Sequence, residues 1–161
     1  MLNKRLYSRH RFPRLRIAIL IAVLALAGCS SGPTDADRDV TKERWYADAV
    51  QQLNAVNRKA EEFFQKGESD KAAALIQQGQ SIQSRLIGVP HPTLEATEAA
   101  SDLDDLYGRM LLSNRHYGWA RLFFQKNVAR WKHWNPQTPE TEKRLRQANA
   151  EIAECDRHIE E

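Results

Sequence analysis

Cys155 and His158 stand three apart in a helical stretch, close enough to share a metal ion. A metal site needs three or four such ligands, and the remaining histidines lie in separate linkers and helices without a ligand spacing. Cys155 also falls on the apolar stripe of its helix, where a thiol behaves as a small hydrophobe. Acid–base chemistry fares no better. Asp104-Asp105 and Glu61-Glu62 are adjacent on helices, so their carboxylates point in different directions rather than flanking a bond. The sequence has no Gly-rich phosphate loop, no Gly-x-Ser-x-Gly elbow and no His-Glu-x-x-His pair. The expectation is a protein without catalytic residues, metal or cofactor.

The second thiol is more informative. Cys29 ends an uninterrupted apolar stretch, residues 17–27, which is preceded by Lys4, Arg5, Arg9, Arg11, Arg14 and Arg16 with no acidic residue among them. This is the layout of a secretory signal. The apolar stretch is also too short for a permanent span, which needs roughly 20 residues. Its ending, Leu26-Ala27-Gly28-Cys29, resembles the lipobox of bacterial lipoproteins. That resemblance implies a diacylglyceryl thioether on Cys29, cleavage after residue 28, a further acyl chain on the new amine, and a membrane anchor through lipid. Two or three chains anchor almost permanently, at about 0.8 kcal/mol per buried CH₂. Ser30, rather than Asp, after the cysteine points by the same resemblance to the outer membrane, with the protein facing the periplasm.

Cleavage would also reverse the charge. The whole chain carries +3, but loss of the six basic residues of the signal leaves 18 basic against 21 acidic ones. A nucleic-acid partner therefore loses its electrostatic footprint. Only Cys29 and Cys155 would remain as cysteines. With Cys29 acylated no internal disulfide can form, and stability has to come from packing.

Residues 29–40 carry Gly, Pro and several Asp without periodicity, and read as a flexible tether of about 20 Å. From residue 41 to 161 the apolar positions recur at helical intervals. Trp45, Ala49, Leu53, Val56, Ala60 and Phe63 share one face, and Gly67 ends that run. Ala72, Leu75, Ile76, Gly79, Ile82 and Leu86 form a second stripe, closed by Gly88 and Pro90-His91-Pro92. Thr93 is the expected cap of a third helix with Leu94, Leu103, Tyr107, Met110 and Leu111. The Asn114-Arg115-His116 corner leads into a fourth, with Tyr117, Ala120, Phe124, Val128 and Trp131. After Asn135-Pro136, the run Thr138-Pro139-Glu140 is a helix start by cap, proline and early acid together. Leu145, Ala148, Ile152, Cys155 and Ile159 make the last stripe. The expectation is all-α: five helices and no sheet.

Two helix pairs share a pattern displaced by 48 residues. Ala60, Phe63, Gly67, Ala72, Ile76 and Gly79 answer to Gly108, Leu111, Arg115, Ala120, Phe124 and Asn127. Small residues stand where two helices of a hairpin approach closely. Gly108, Leu111, Tyr117, Ala120 and Phe124 resemble the tetratricopeptide signature, while the first pair departs from it with Lys59 at a position usually Leu. The long offset and the link Gly88-Val89-Pro90-His91-Pro92-Thr93 are similar to the kinesin light chain type. The resemblance implies a right-handed superhelix of antiparallel hairpins with the fifth helix as a cap. An irregular helical bundle is the competing arrangement.

In such repeats the first helix of each hairpin lines a concave surface. The resemblance therefore implies partner-binding roles for Asn54, Asn57, Glu61 and Phe64 and for Asp105, Arg109 and Leu112, with the two Asn amides able to clamp an extended peptide backbone. The partner would be an envelope protein or an extended peptide segment, and the task a non-catalytic one in envelope assembly or secretion. A second reading starts from the stretch between Asp105 and Glu140, which has no acidic residue. Arg115, Trp119, Arg121, Lys126, Arg130 and Trp134 would form a basic aromatic face for lipid or polysaccharide. Against it stands cancellation, in which acids of neighbouring helices pair with these cations and the tryptophans belong to the core.

Overall fold

The structure, a computed structural model, describes residues 38–160. The signal, Cys29 and all but the last residues of the tether lie outside them. Among the described residues a 3₁₀ turn, Val40–Lys42, precedes five helices: α1 (Arg44–Gln65), α2 (Ser69–Ile87), α3 (Leu94–Ser113), α4 (Tyr117–Lys132) and α5 (Pro139–Glu160). No strand occurs among the described residues. Among the described residues the all-helical expectation and the count of five helices hold.

Local chemistry sets the ends. Gly67 adopts φ +75°, and the chain closes α1 with bonds from Gly67 N to Phe64 O (3.0 Å) and from Glu68 N to Phe63 O (2.9 Å). These two bonds satisfy carbonyls that the helix leaves open. The same closure recurs 48 residues on, from Arg115 N to Leu112 O (3.0 Å) and from His116 N to Leu111 O (2.9 Å), with Arg115 at φ 62° in the glycine's place. Thr93 Oγ1 accepts from Ala96 N at the head of α3. At α5 the capping is reciprocal: Thr138 Oγ1 accepts from Thr141 N, and Thr141 Oγ1 accepts from Thr138 N.

Each helix packs on the next, and α1 also lies along α3. Leu53, Ile76, Leu86, Leu103 and Leu106 fill the space among α1, α2 and α3. Ala120, Phe124 and Cys155, flanked by Leu111, Leu112 and Ile152, fill that among α3, α4 and α5. The hairpin α3–α4 closes over a glycine: a Cβ on Gly108 would stand 2.5 Å from Phe124 Cε1.

Two positions differ from the expected stripes: Ile159, near the end of α5, is 53% exposed, and the head of α1 is turned by one residue. Tyr46 is buried and Trp45 only partly so, because steps of three and four through Ala49, Leu53, Val56 and Ala60 run back equally well to residue 46. The phenol offers what the indole cannot. Tyr46 OH donates to Leu86 O (3.3 Å) and accepts from Thr93 N (3.2 Å), tying α1 to the α2–α3 link. Trp45 instead turns its Nε1 to Glu43 and its ring to Arg85.

Candidate peptide-binding groove

Where α1 lies along α3, polar side chains four residues apart on each helix face one another. Arg109 spans the gap. Its Nη1 and Nη2 meet Glu61 Oε1 and Oε2 at 3.2 and 2.5 Å, and its Nε meets Asp105 Oδ2 at 2.8 Å. A planar guanidinium is the side chain that can serve two carboxylates in this way. The bonds from Arg109 hold the Glu61 carboxyl below its usual pKa. The Phe64 ring stands 5.7 Å from the guanidinium carbon.

The network continues to α5. Gln147 Nε2 donates to Asp105 Oδ1 (3.2 Å) and Glu151 Oε1 (3.1 Å). Burial, with the Asp105 charge beside it, pushes Glu151 up to about 8. At neutral pH this carboxyl keeps its proton, and its buried Oε2 has no hydrogen-bond partner among the described residues. A little further along, Arg144 of α5 ties down Asp102 of α3 at 2.6 Å and also approaches Glu98 and Glu140.

Between α1 and α3 lies an open groove of about 420 Å³, lined by Asn57, Arg58, Glu61, Glu62, Asp102, Asp105, Leu106 and Arg109. Of the residues expected to bind a partner, it brings together Asn57, Glu61, Asp105 and Arg109. Phe64 stands at its edge, against Arg109. Asn54 is half-buried and does not line it. Leu112 packs into the α3–α4–α5 core, so its place in the groove is corrected. The paired-amide clamp is corrected too: Asn57 is buried, and its Nδ2 donates to Ala99 O at 2.8 Å. Its Oδ1, equally buried, has no hydrogen-bond partner.

Arg58, Glu62, Asp102 and Leu106 were not anticipated. The signal was there: 58 stands three before 61 and four before 62, and 102 and 106 stand three before 105 and 109 in turn.

The basic aromatic stretch does not form one cationic face. Arg130 is drawn inside, where Nη2 meets the buried Asp104 at 2.8 Å and Nη1 contacts Asn127 Oδ1. Arg121 Nε pairs with Asp156 of α5 at 2.6 Å. Trp131 is fully buried, with Nε1 on Ser101 Oγ, and the half-buried Trp134 packs edge-on against it. Arg115 and Lys126 stay exposed, Lys126 4.2 Å above the Phe123 ring. Trp119 is 65% exposed and borders an aromatic hollow with Tyr107, Leu111, His116 and Phe123. Helix-to-helix pairing thus neutralises Arg121 and Arg130, the cancellation weighed above.

Cys155 is buried beside Ala120 and Phe124, and burial raises its thiol pKa. His158 stacks on Tyr117 and bonds to Glu154. Among the described residues no helix is long and apolar enough to cross a membrane. No known protein family matches the chain, and no curated protein or solved structure is significantly similar to it.

Proposed function

We propose that this protein is a lipid-anchored bacterial envelope lipoprotein, and that its helical domain is a non-catalytic, tetratricopeptide-like binding module. Cys29 would carry the acyl chains, and the tether would hold the domain close to the outer membrane on its periplasmic side. The domain would present the α1–α3 groove to an extended segment of another envelope protein, as an accessory to assembly or secretion.

The observation that carries the reading is the groove itself. Its walls include matched positions of two helix pairs 48 residues apart, Glu61 facing Arg109 and Asn57 answering to Asp105. The repeated helix closure at Gly67 and Arg115 supports the same two-hairpin repeat. Concave, partly polar clefts of this size suit the capture of a few side chains of a peptide.

Photocrosslinking in cells tests it. A crosslinking amino acid at Arg58, in the groove, should give a discrete protein adduct, and one at Gln77, exposed on α2, should not. Equal or absent adducts at both would remove the groove from the account. The exposure of Trp119 and Leu122 on α4 favours a second reading, contact of that face with lipid or polysaccharide. Under it, lipid adducts from position 122 would be the main product.

A further inference from the structure

The charges of the groove select the kind of peptide it can hold. Glu61 and Glu62 of α1 and Asp102 and Asp105 of α3 face two guanidiniums, Arg58 and Arg109. Arg109 has its Nε and both terminal nitrogens on Glu61 and Asp105. Arg144 of α5 is shared among Asp102, Glu98 and Glu140. The groove is left with a surplus of carboxylate, and Glu62 is exposed to solvent on its rim. A concave wall of one sign concentrates counter-charge and repels like charge.

A second observation points the same way. Asn57, only 9% exposed, forms part of the groove wall with its donor committed to Ala99 O and its Oδ1 unmatched. A buried acceptor without a donor costs about 1–3 kcal/mol, which an incoming N–H would relieve. Leu106 adds an apolar surface on which the stem of a long cationic side chain can lie.

We infer that the groove takes an extended peptide segment carrying lysine or arginine. The cation sits at the rim against Glu62, sharing Asp102 with Arg144, and an N–H of the peptide reaches Asn57 Oδ1 as the wall yields. This rests on the groove being a binding site, and it excludes acidic peptides, phosphates and anionic headgroups from that site.

Fluorescence anisotropy on the full-length protein, purified in detergent, tests the assignment with two labelled peptides, one alternating lysine with alanine and one alternating glutamate with alanine. The lysine peptide should bind one-to-one and weaken as salt rises towards about 0.5 M, and the glutamate peptide should not bind. Glu62→Gln with Asp102→Asn should weaken the lysine peptide about fivefold to tenfold. Gln77→Lys with Gln78→Lys makes the same change in net charge away from the groove, and should shift binding by less than about twofold. Equal losses in the two double variants, or tighter binding of the glutamate peptide, would overturn the inference. A groove crosslink to a cellular partner without lysine-peptide binding would sink the cationic assignment alone. With no crosslink either, the binding module itself would fall.

Discussion

Gly108→Ala adds one methyl group at the tightest point of the α3–α4 hairpin. The new Cβ would stand 2.5 Å from Phe124 Cε1, 2.8 Å from Cζ and 3.0 Å from Cδ1. Carbon atoms in good contact sit at about 3.5–4.0 Å, so the overlap is near 1 Å. Phe124 is fully buried in the cluster with Ala120 and Cys155, with Ile152 packed against it, so its ring has little room to retreat. Overpacking of this kind costs about 1–3 kcal/mol, and the gain in helix propensity from glycine to alanine returns up to about 1 kcal/mol. The expected net loss is about 1–2 kcal/mol. Urea denaturation followed by circular dichroism should show it as a lower midpoint with an unchanged slope. Two controls sharpen the outcome. Gly79→Ala meets only the flexible tip of Leu103 at 3.0 Å and the Val56 methyl at 3.3 Å, and should stay within about 0.5 kcal/mol of the parent. Gly118→Ala meets nothing within 4 Å and should gain about 0.5–1 kcal/mol. A Gly108→Ala protein as stable as Gly118→Ala would refute the close approach of α3 and α4.

Three further outcomes follow from other parts of the fold. Arg115→Gly places glycine where the chain already needs φ 62°, and should stabilise by about 0.5–1 kcal/mol in thermal or urea unfolding, as relief of left-handed strain outweighs glycine's entropy. Arg130→Ala strands the buried Asp104 carboxylate and should cost about 3 kcal/mol, whereas Lys126→Ala, at the surface, should cost less than about 0.5; similar values for the two would contradict the inward placement of Arg130. Glu151 titrates at about 8 in the fold against an ordinary 4.5, so the native state holds a proton that the unfolded chain releases first. Stability therefore declines as pH rises from about 4.5 to about 8, by about 1–2 kcal/mol after allowance for partial solvent screening, and Glu151→Gln should flatten that decline when urea midpoints are compared at pH 5 and 8.5. Glu61, held low by Arg109, acts in the opposite sense: its contribution is present above the ordinary carboxylate pKa and is lost only on acidification.

The helices and their ends were legible because their signals are local. Thr93, Thr138 and Gly67 act within four residues of themselves, and the sequence carries each signal where the structure uses it. The glycine at 108 was legible too, since a small residue answering to a large one 16 positions later is the mark of a close hairpin. What periodicity could not resolve was rotation by a single residue or the destination of a charge. Trp45 and Tyr46 fit the same stripe, and the choice fell to a phenol that bridges Leu86 and Thr93, partners 40 and 47 residues away. Arg130 reads as surface until α3 brings Asp104 to it, and Leu112 reads as groove until α5 brings Ile152. Within the groove, the residues of each wall lay on a predictable face. Their charge balance emerged only when α1 met α3 and Arg109 was shared between Glu61 and Asp105.

The proposed lipid anchor can be weighed: the intact mass of the protein extracted from the membranes of its own cells decides whether the helical module rides on lipid. The expected mass is that of a chain beginning at Cys29 and carrying a diacylglyceryl thioether, with a further acyl group on its amine. A mass that still includes Met1, with Cys29 a free thiol, would contradict it.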